Sequence, residues 1–276
     1  MTRLSFVRHL SGALFASLAA LPVWGQSTLD PFADPVQAEV LPGWQLPDGR
    51  RVVGLQLTLE PGWKTYWRAP GDAGIPPAFD WSKARNLRSV SIAWPTPEVH
   101  VQNGMRSIGY SDVFTIPMTL EPKSGAKPVR LRGRMDLGVC ADVCMPHSLT
   151  FDATLDHSET KPTPKIAAAL ADVPYSAREA GVKSAVCRVA PTSDGMQIQA
   201  EIQMPHTGGR EVAIIEPGMA SVWVSETKAQ RKGNTLTAVS EMIHENGGAF
   251  GIDRSAVRIT ILGSDYAVDV RGCTGG

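Results

Sequence analysis

From Val129 to Leu155 the sequence alternates apolar and polar residues with period two, interrupted once by a pair of cysteines. Val129, Leu131, Met135, Leu137 and Val139 fall in one phase; Arg130, Arg132, Arg134 and Asp136 fall in the other. Beyond the cysteines Leu149, Phe151 and Leu155 alternate with Thr150, Asp152, Thr154 and Asp156. Successive side chains of a strand point to opposite faces, so this pattern calls for two half-buried strands and argues against a helix, whose apolar positions recur every three or four residues. The segment reads as a β-hairpin with Cys140 and Cys144 on either side of its tip. Cys140 lies in the phase of the arginines, which predicts a sulfur delivered outward to solvent.

The same signature recurs along the chain. Val53, Leu55, Leu57 and Leu59 alternate with Gly54, Gln56, Thr58 and Glu60 until Pro61-Gly62 breaks the run, and an edge strand is expected near Val36–Val40. Val90, Ile92 and Trp94 suggest another strand, as do Phe114, Ile116, Met118 and Leu120; there Pro117, which lacks a ladder donor, predicts an edge or a bulge. Residues 98–110 show no periodicity and read as a loop. Many short strands punctuated by Gly and Pro predict a β-sandwich within residues 26–156. Residues 157–180 read as a linker with one short helix, Thr163 capping, Pro164 opening, Ile166–Leu170 propagating and Pro174 stopping it. Alternation resumes at Met196–Met204 and again near 211–216, 221–226, 235–243, 256–262 and 265–271, so residues 181–276 are expected to form a second, smaller all-β domain.

Arg3 and Arg8 precede an uncharged run from Leu10 to Val23 and a small residue at Gly25, the layout of a secretory leader over residues 1–25. That run is too short to span a bilayer, and no later segment reaches the roughly 18 apolar residues a spanning helix needs. Losing Arg3 and Arg8 with the leader leaves 25 basic against 27 acidic side chains. A nearly neutral exported chain has no electrostatic case for nucleic acid or an anionic membrane. Four cysteines in such a chain imply two bridges, with three pairings open. The favoured pairing joins Cys140 to Cys144 and Cys187 to Cys273. The distant bridge would tie the ends of the second domain together and contribute on the order of 4–5 kcal/mol in the chain-entropy model.

A short ring constrains little of the unfolded chain, and exposed bridges tend to be the labile ones, which favours a redox role for the close pair over a local staple. Asp142, between the cysteines, either opposes thiolate formation or simply forms the turn. Cys140, Cys144, Met145 and His147 also make a ligand set of a kind that suits Cu(I), a copper-handling reading whose rival is that Met145 packs and His147 starts the next strand. In a third reading the aromatics from Trp63 to Trp81 form a docking or glycan surface and both bridges are inert; plain core packing explains the same aromatics.

The run Gly62–Pro77, with Phe79-Asp80-Trp81, Trp94-Pro95, Gly109-Tyr110 and Val139-Cys140-Ala141-Asp142-Val143-Cys144-Met145-Pro146, resembles the amino-terminal periplasmic region of the DsbD and ScsB thiol:disulfide interchange proteins. It is closer to the ScsB type, whose cysteines are also separated by three residues. The resemblance implies two consecutive immunoglobulin-like sandwiches and a periplasmic protein-disulfide reductase-type oxidoreductase that needs no cofactor. It implies that Cys144 makes the mixed disulfide and Cys140 resolves it. A cap loop over the pair is implied at His100, Val101, Gln102, Asn103, Gly104 and Met105, with Tyr110, Asp142 and Pro146 near the site. The aromatic with which the family shields its sulfurs has no counterpart in that loop. The implied partners are a thioredoxin-like periplasmic protein and a membrane thiol transporter, expected on other polypeptides, and oxidised client proteins.

Overall fold

The alternating segments become strands in a computed structural model that describes residues 34–71, 74–102, 104–156 and 160–276. The leader expected over residues 1–25 and Asn103 of the expected cap lie outside the described residues. The first ten strands are β1 (Val36–Gln45), β2 (Arg51–Leu59), β3 (Lys64–Tyr66), β4 (Ala78–Asp80), β5 (Leu87–Ile92), β6 (Glu98–Gln102), β7 (Met105–Ser111), β8 (Val113–Pro122), β9 (Val129–Cys140) and β10 (Cys144–Leu155). One sheet runs β1-β2-β8-β5; the other runs β10-β9-β3-β7-β6, with β4 also on β9. Leu55 and Leu57 of β2 and Ile116, Met118 and Leu120 of β8 share a buried core with Leu131, Met135, Leu137 and Val139 of β9. These are the apolar phases of the sequence turned inward.

Two expectations are corrected by the pairing. β8 is not an edge strand: it pairs with β2 on one side and β5 on the other, with Pro117 opposite Gly54. The missing donor does no harm because Pro117 accepts from Ala93 N at 2.9 Å, so its nitrogen faces the point where β5, ending at Ile92, has already stopped pairing. Residues 98–110 are not a loop but the hairpin β6–β7, with Gln102 opposite Met105 and Gly104 at φ +78°. The sequence signal for it is the Asn-Gly dipeptide at 103–104, a type that favours two-residue hairpin connections, and Gly104 has the positive φ that suits glycine.

The helix α1 (Pro164–Ala171) lies in the expected stretch and packs on the outer face of the first sheet. Ile166 is fully buried with Leu41, Trp44 and Val52, and Gly54 leaves the space it fills: a Cβ there would sit 2.9 Å from Ile166 Cγ1.

The remaining strands are β11 (Tyr175–Ser176), β12 (Ser184–Pro191), β13 (Met196–Gln203), β14 (Val212–Glu216), β15 (Val222–Val224), β16 (Lys228–Lys232), β17 (Thr235–His244), β18 (Arg258–Leu262), β19 (Ala267–Arg271) and β20 (Thr274–Gly275). They form a sheet β11-β19-β18-β14 and a sheet β15-β17-β13-β12-β20 with β16 also on β17. Ile198, Ala200 and Ile202 on β13 share a core with Ile259 and Ile261 on β18 and Val268 and Val270 on β19. Cys187 and Cys273 are bridged, their Cα atoms 5.7 Å apart, tying β12 to the segment just before β20. The whole described chain is all-β apart from α1, and no helix among the described residues is long and apolar enough to cross a membrane.

Candidate functional site

Directly opposed residues of an antiparallel pair share a face. Cys144 lies opposite Cys140, and Cys140 lies opposite Lys64, so one transverse row carries both cysteines and a lysine. The two sulfurs are bonded, with the Cα atoms 4.1 Å apart. Two residues along the same face, Pro146 lies opposite Gly138 and Tyr66 lies opposite Gly109. The Tyr66 ring rests on Gly138: a Cβ there would fall 2.8 Å from two ring carbons and 2.9 Å from Ile75 Cβ. Glycine at 138 is what lets an aromatic ring lie flat beside the disulfide.

The Tyr66 hydroxyl lies 2.8 Å from Cys140 Sγ and 3.4 Å from Cys144 Sγ. Burial raises the Tyr66 phenol above its ordinary value, so it stays protonated and acts as the donor to sulfur at neutral pH. The expectation that Cys140 presents its sulfur to solvent is corrected: Cys140 is 0% exposed, whereas Cys144 is exposed. The face assignment from the alternation holds, but that face is roofed by Tyr66 and Ile75, which lie more than sixty residues earlier in the chain. The result is a disulfide that joins an exposed residue to a fully buried one.

The β6–β7 hairpin closes on the same row. Lys64 Nζ donates to Gln102 Oε1 at 2.9 Å, although Lys64 pairs with Ser111 and Gln102 with Met105. Six residues of extended strand span roughly 20 Å, so this contact requires the hairpin to curl back over the sheet. Ser111 Oγ donates to Glu98 Oε2 at 2.8 Å, and His100 Nε2 lies 3.4 Å from the same carboxylate without hydrogen-bond geometry. Burial lowers the His100 imidazole, Lys64 adds to the effect, and Glu98 opposes it. Val101, Met105, Ile75, Val143 and Met145 are exposed apolar side chains on the hairpin tips and on the segment over Gly138. Exposed apolar surface of this kind marks a place where another protein can dock.

Other expected site residues fall elsewhere. Tyr110 is not at the sulfurs: it points into the interior, stacks on Phe114 at 4.1 Å and donates to Pro95 O at 2.8 Å. Asp142 is exposed at the hairpin tip, and Pro146 is exposed on the disulfide face. Alternation along β10 puts Met145 and His147, opposite Val139 and Leu137, on the face away from Cys144, and His147 Nε2 sits 3.2 Å from Asp34 Oδ1. The four proposed copper ligands are therefore not brought together, and no cluster of three or more His, Cys, Asp or Glu among the described residues is arranged to hold a metal. Lys64, Ile75 and Gly138 are site residues that the sequence does not single out, and Tyr66 is marked there only as one of several aromatics. The available signal for Gly138 is its place two residues before Cys140 in a strand, where a glycine marks close approach by another group.

Comparison with known proteins adds to this geometry. No match to the chain is found among curated proteins. Among solved structures, the N-terminal periplasmic domain of ScsB from Proteus mirabilis superposes with a TM-score of 0.67 at 22% identity, over 89% of this chain and 95% of that one. At that identity the likeness speaks to the fold, and its coverage takes in both sandwiches. Residues 34–156 match the family described as thiol:disulfide interchange protein DsbD, N-terminal. The first sandwich, with its roofed disulfide, is therefore a member of the DsbD amino-terminal domain family of thiol:disulfide interchange proteins.

Proposed function

We propose that this chain is an exported thiol:disulfide interchange protein that passes reducing equivalents through Cys140–Cys144 to oxidised periplasmic proteins. The observation that carries the reading is the unequal setting of the two sulfurs: Cys144 is exposed, and Cys140 is buried beneath a phenol that hydrogen-bonds it. A thiolate of a thioredoxin-like partner attacks Cys144 Sγ. The Cys140–Cys144 bond breaks, its electron pair goes to Cys140, and a partner–Cys144 bond forms. The Tyr66 phenol donates to the departing Cys140 thiolate, and the Lys64 ammonium lies in the same row; both favour the charged form. The partner's second thiol, after losing its proton, attacks the partner's own sulfur and releases Cys144. The partner leaves oxidised by two electrons, and the reduced cysteines take up two protons from solvent. Toward a client the order reverses: Cys144 attacks the client disulfide and Cys140 resolves it, restoring the bridge.

In this reading a membrane thiol transporter keeps the thioredoxin-like partner reduced, and the exposed apolar rim receives that partner. The redox chemistry belongs to residues 26–156, with 157–180 and 181–276 in a supporting role. Cys140→Ser leaves the reachable thiol without its resolving neighbour, so it should accumulate a mixed disulfide with a thioredoxin-like protein, whereas Cys144→Ser should not. Equal trapping by both variants, or by neither, sinks the reading.

A further inference from the structure

Tyr66 is the last residue of a three-residue strand, and the pairing of β3 with β9 stops one residue short of it, at Thr65. The next two residues are anchored on the second sandwich. Trp67 N donates to Ile108 O at 2.9 Å, and the Trp67 side chain is fully buried in a cluster with Ile108, Tyr110, Leu262 and Ala267, the last two from the second sandwich. Arg68 lies over the Trp67 ring at 3.6 Å. Its Nε and Nη2 donate to the two carboxylate oxygens of Glu216 at 3.1 and 3.0 Å, and Nη2 also reaches Thr260 Oγ1 at 3.0 Å. The second sandwich grips the hairpin side as well: Arg106 Nη1 lies 3.3 Å from Glu226 Oε1. Within three consecutive residues the chain thus passes from the sulfurs to a bidentate ion pair on the other sandwich.

A second observation sets this seam apart from ordinary packing. Trp67 Nε1 and Arg68 Nη1 are both buried without a hydrogen-bond partner among the described residues. Buried orphan donors disfavour the closed arrangement, and water would satisfy both on opening. The directed Arg68–Glu216 pair joins the Trp67 cluster and Arg106–Glu226 in holding the seam, against two neighbouring donors that are buried without a partner among the described residues.

We infer that the second sandwich is a positioning device for the redox pair: Arg68 and Glu216 latch the Tyr66 segment so that its ring covers Cys140 and its hydroxyl meets the sulfur. This rests on the proposed redox reading for its purpose, though not for its geometry. Releasing the latch frees Tyr66 to leave Cys140, which exposes that sulfur and removes its hydrogen bond together. Arg68 and Glu216 are positioning residues: they bond to each other, and Arg68 to Thr260, rather than to the sulfurs.

The test uses the full chain carrying Cys144→Ser, so that Cys140 is a lone thiol while Cys187–Cys273 stays bridged. The rate of Cys140 alkylation by iodoacetamide is followed against pH. The plateau at high pH reports access, and the inflection reports the thiolate's stabilisation. Glu216→Gln, nearly isosteric and uncharged, should raise the plateau about tenfold, the effect of about 1.4 kcal/mol on the covered state, and shift the inflection, because both the hydrogen bond and the burial of the sulfur change. Arg68→Glu should act in the same direction, and combining it with Glu216→Arg should return both readouts toward the parent. A purely structural interface would change thermal stability and leave the inflection in place. Folded Glu216→Gln and Arg68→Glu proteins with the parent profile overturn the latch. Failure of mixed-disulfide trapping with an altered alkylation profile would remove the relay and leave the latch standing, so the two ideas fail separately.

Discussion

Tyr66→Phe isolates the one hydrogen bond on which the proposed polarity of the disulfide depends. The ring that lies over Gly138 is retained, so the roof over Cys140 stays and only the hydroxyl 2.8 Å from Cys140 Sγ is lost. A hydrogen bond to a fully charged group contributes about 1.5–3 kcal/mol. If about half of the thiolate charge has developed when the sulfur–sulfur bond is breaking, the barrier rises by about 0.75–1.5 kcal/mol, which slows attack at Cys144 by roughly threefold to twelvefold. The assay is reduction by a dithiol under pseudo-first-order conditions, quenched by acid and alkylation and read by mass spectrometry. Cys187–Cys273 serves as an internal reference because Tyr66 is outside the cluster around it. A Phe variant reduced as fast as the parent, with the reference bridge unchanged, refutes the role assigned to the hydroxyl.

Three further outcomes are expected from the packing. Gly138→Ala places a Cβ 2.8 Å from the Tyr66 ring, so it should lift the ring and make Cys140, as the lone thiol of a Cys144→Ser chain, react faster with iodoacetamide. Ile166→Ala should destabilise the chain by about 2–4 kcal/mol in denaturant titration, because the cavity would open between α1 and β2 where Ile166 is fully buried. Burial raises Tyr66, and raises Tyr110 well above its ordinary value of 10.0. A phenol raised on folding contributes stability that is complete below the unfolded value and is lost as pH climbs through the folded one. Unfolding free energy should therefore fall above about pH 10, and Tyr110→Phe should flatten that decline; an alkaline limb of the same slope in this variant would assign the loss to other groups.

Much of the architecture is legible in the sequence because periodicity reports on neighbours along the strand. Leu131, Met135, Leu137 and Val139 point inward as their phase requires, and Thr163-Pro164 does open the helix, although Thr163 makes no side-chain cap bond. Periodicity misleads where the deciding contact is remote. Pro117 reads as an edge marker, yet a proline is tolerated wherever its nitrogen faces the end of a neighbour, and the end of β5 cannot be seen from β8. The β6–β7 hairpin is hidden because the alternation of Val99 and Val101 with Glu98, His100 and Gln102 is only five residues long and its apolar phase faces solvent rather than a core. Alternation puts Cys140 on the right face and in the wrong environment, since polarity in a strand distinguishes faces but not whether a distant segment covers one. Tyr66 is visible as one of several aromatics; its closeness to the sulfurs depends on register between β3 and β9, which no local pattern encodes.

The covered sulfur also bears on direction. With two equally exposed sulfurs a partner thiolate would choose its target by chance, and half of its attacks would strand the mixed disulfide on the cysteine lying deeper in the sheet. In the proposed reaction the incoming thiolate attacks Cys144, so the departing group is Cys140, the sulfur beside the Tyr66 donor and, by register, on the residue opposite Lys64. Access and leaving-group stabilisation therefore point the same way, and a lower leaving-group pKa speeds exchange. Exposure of Cys140 would separate those two effects. A variant that uncovers it while keeping the phenol should yield mixed disulfides on both cysteines, and peptide mapping that still found the partner on Cys144 alone would show that stabilisation by Tyr66, not the roof above Cys140, sets the polarity.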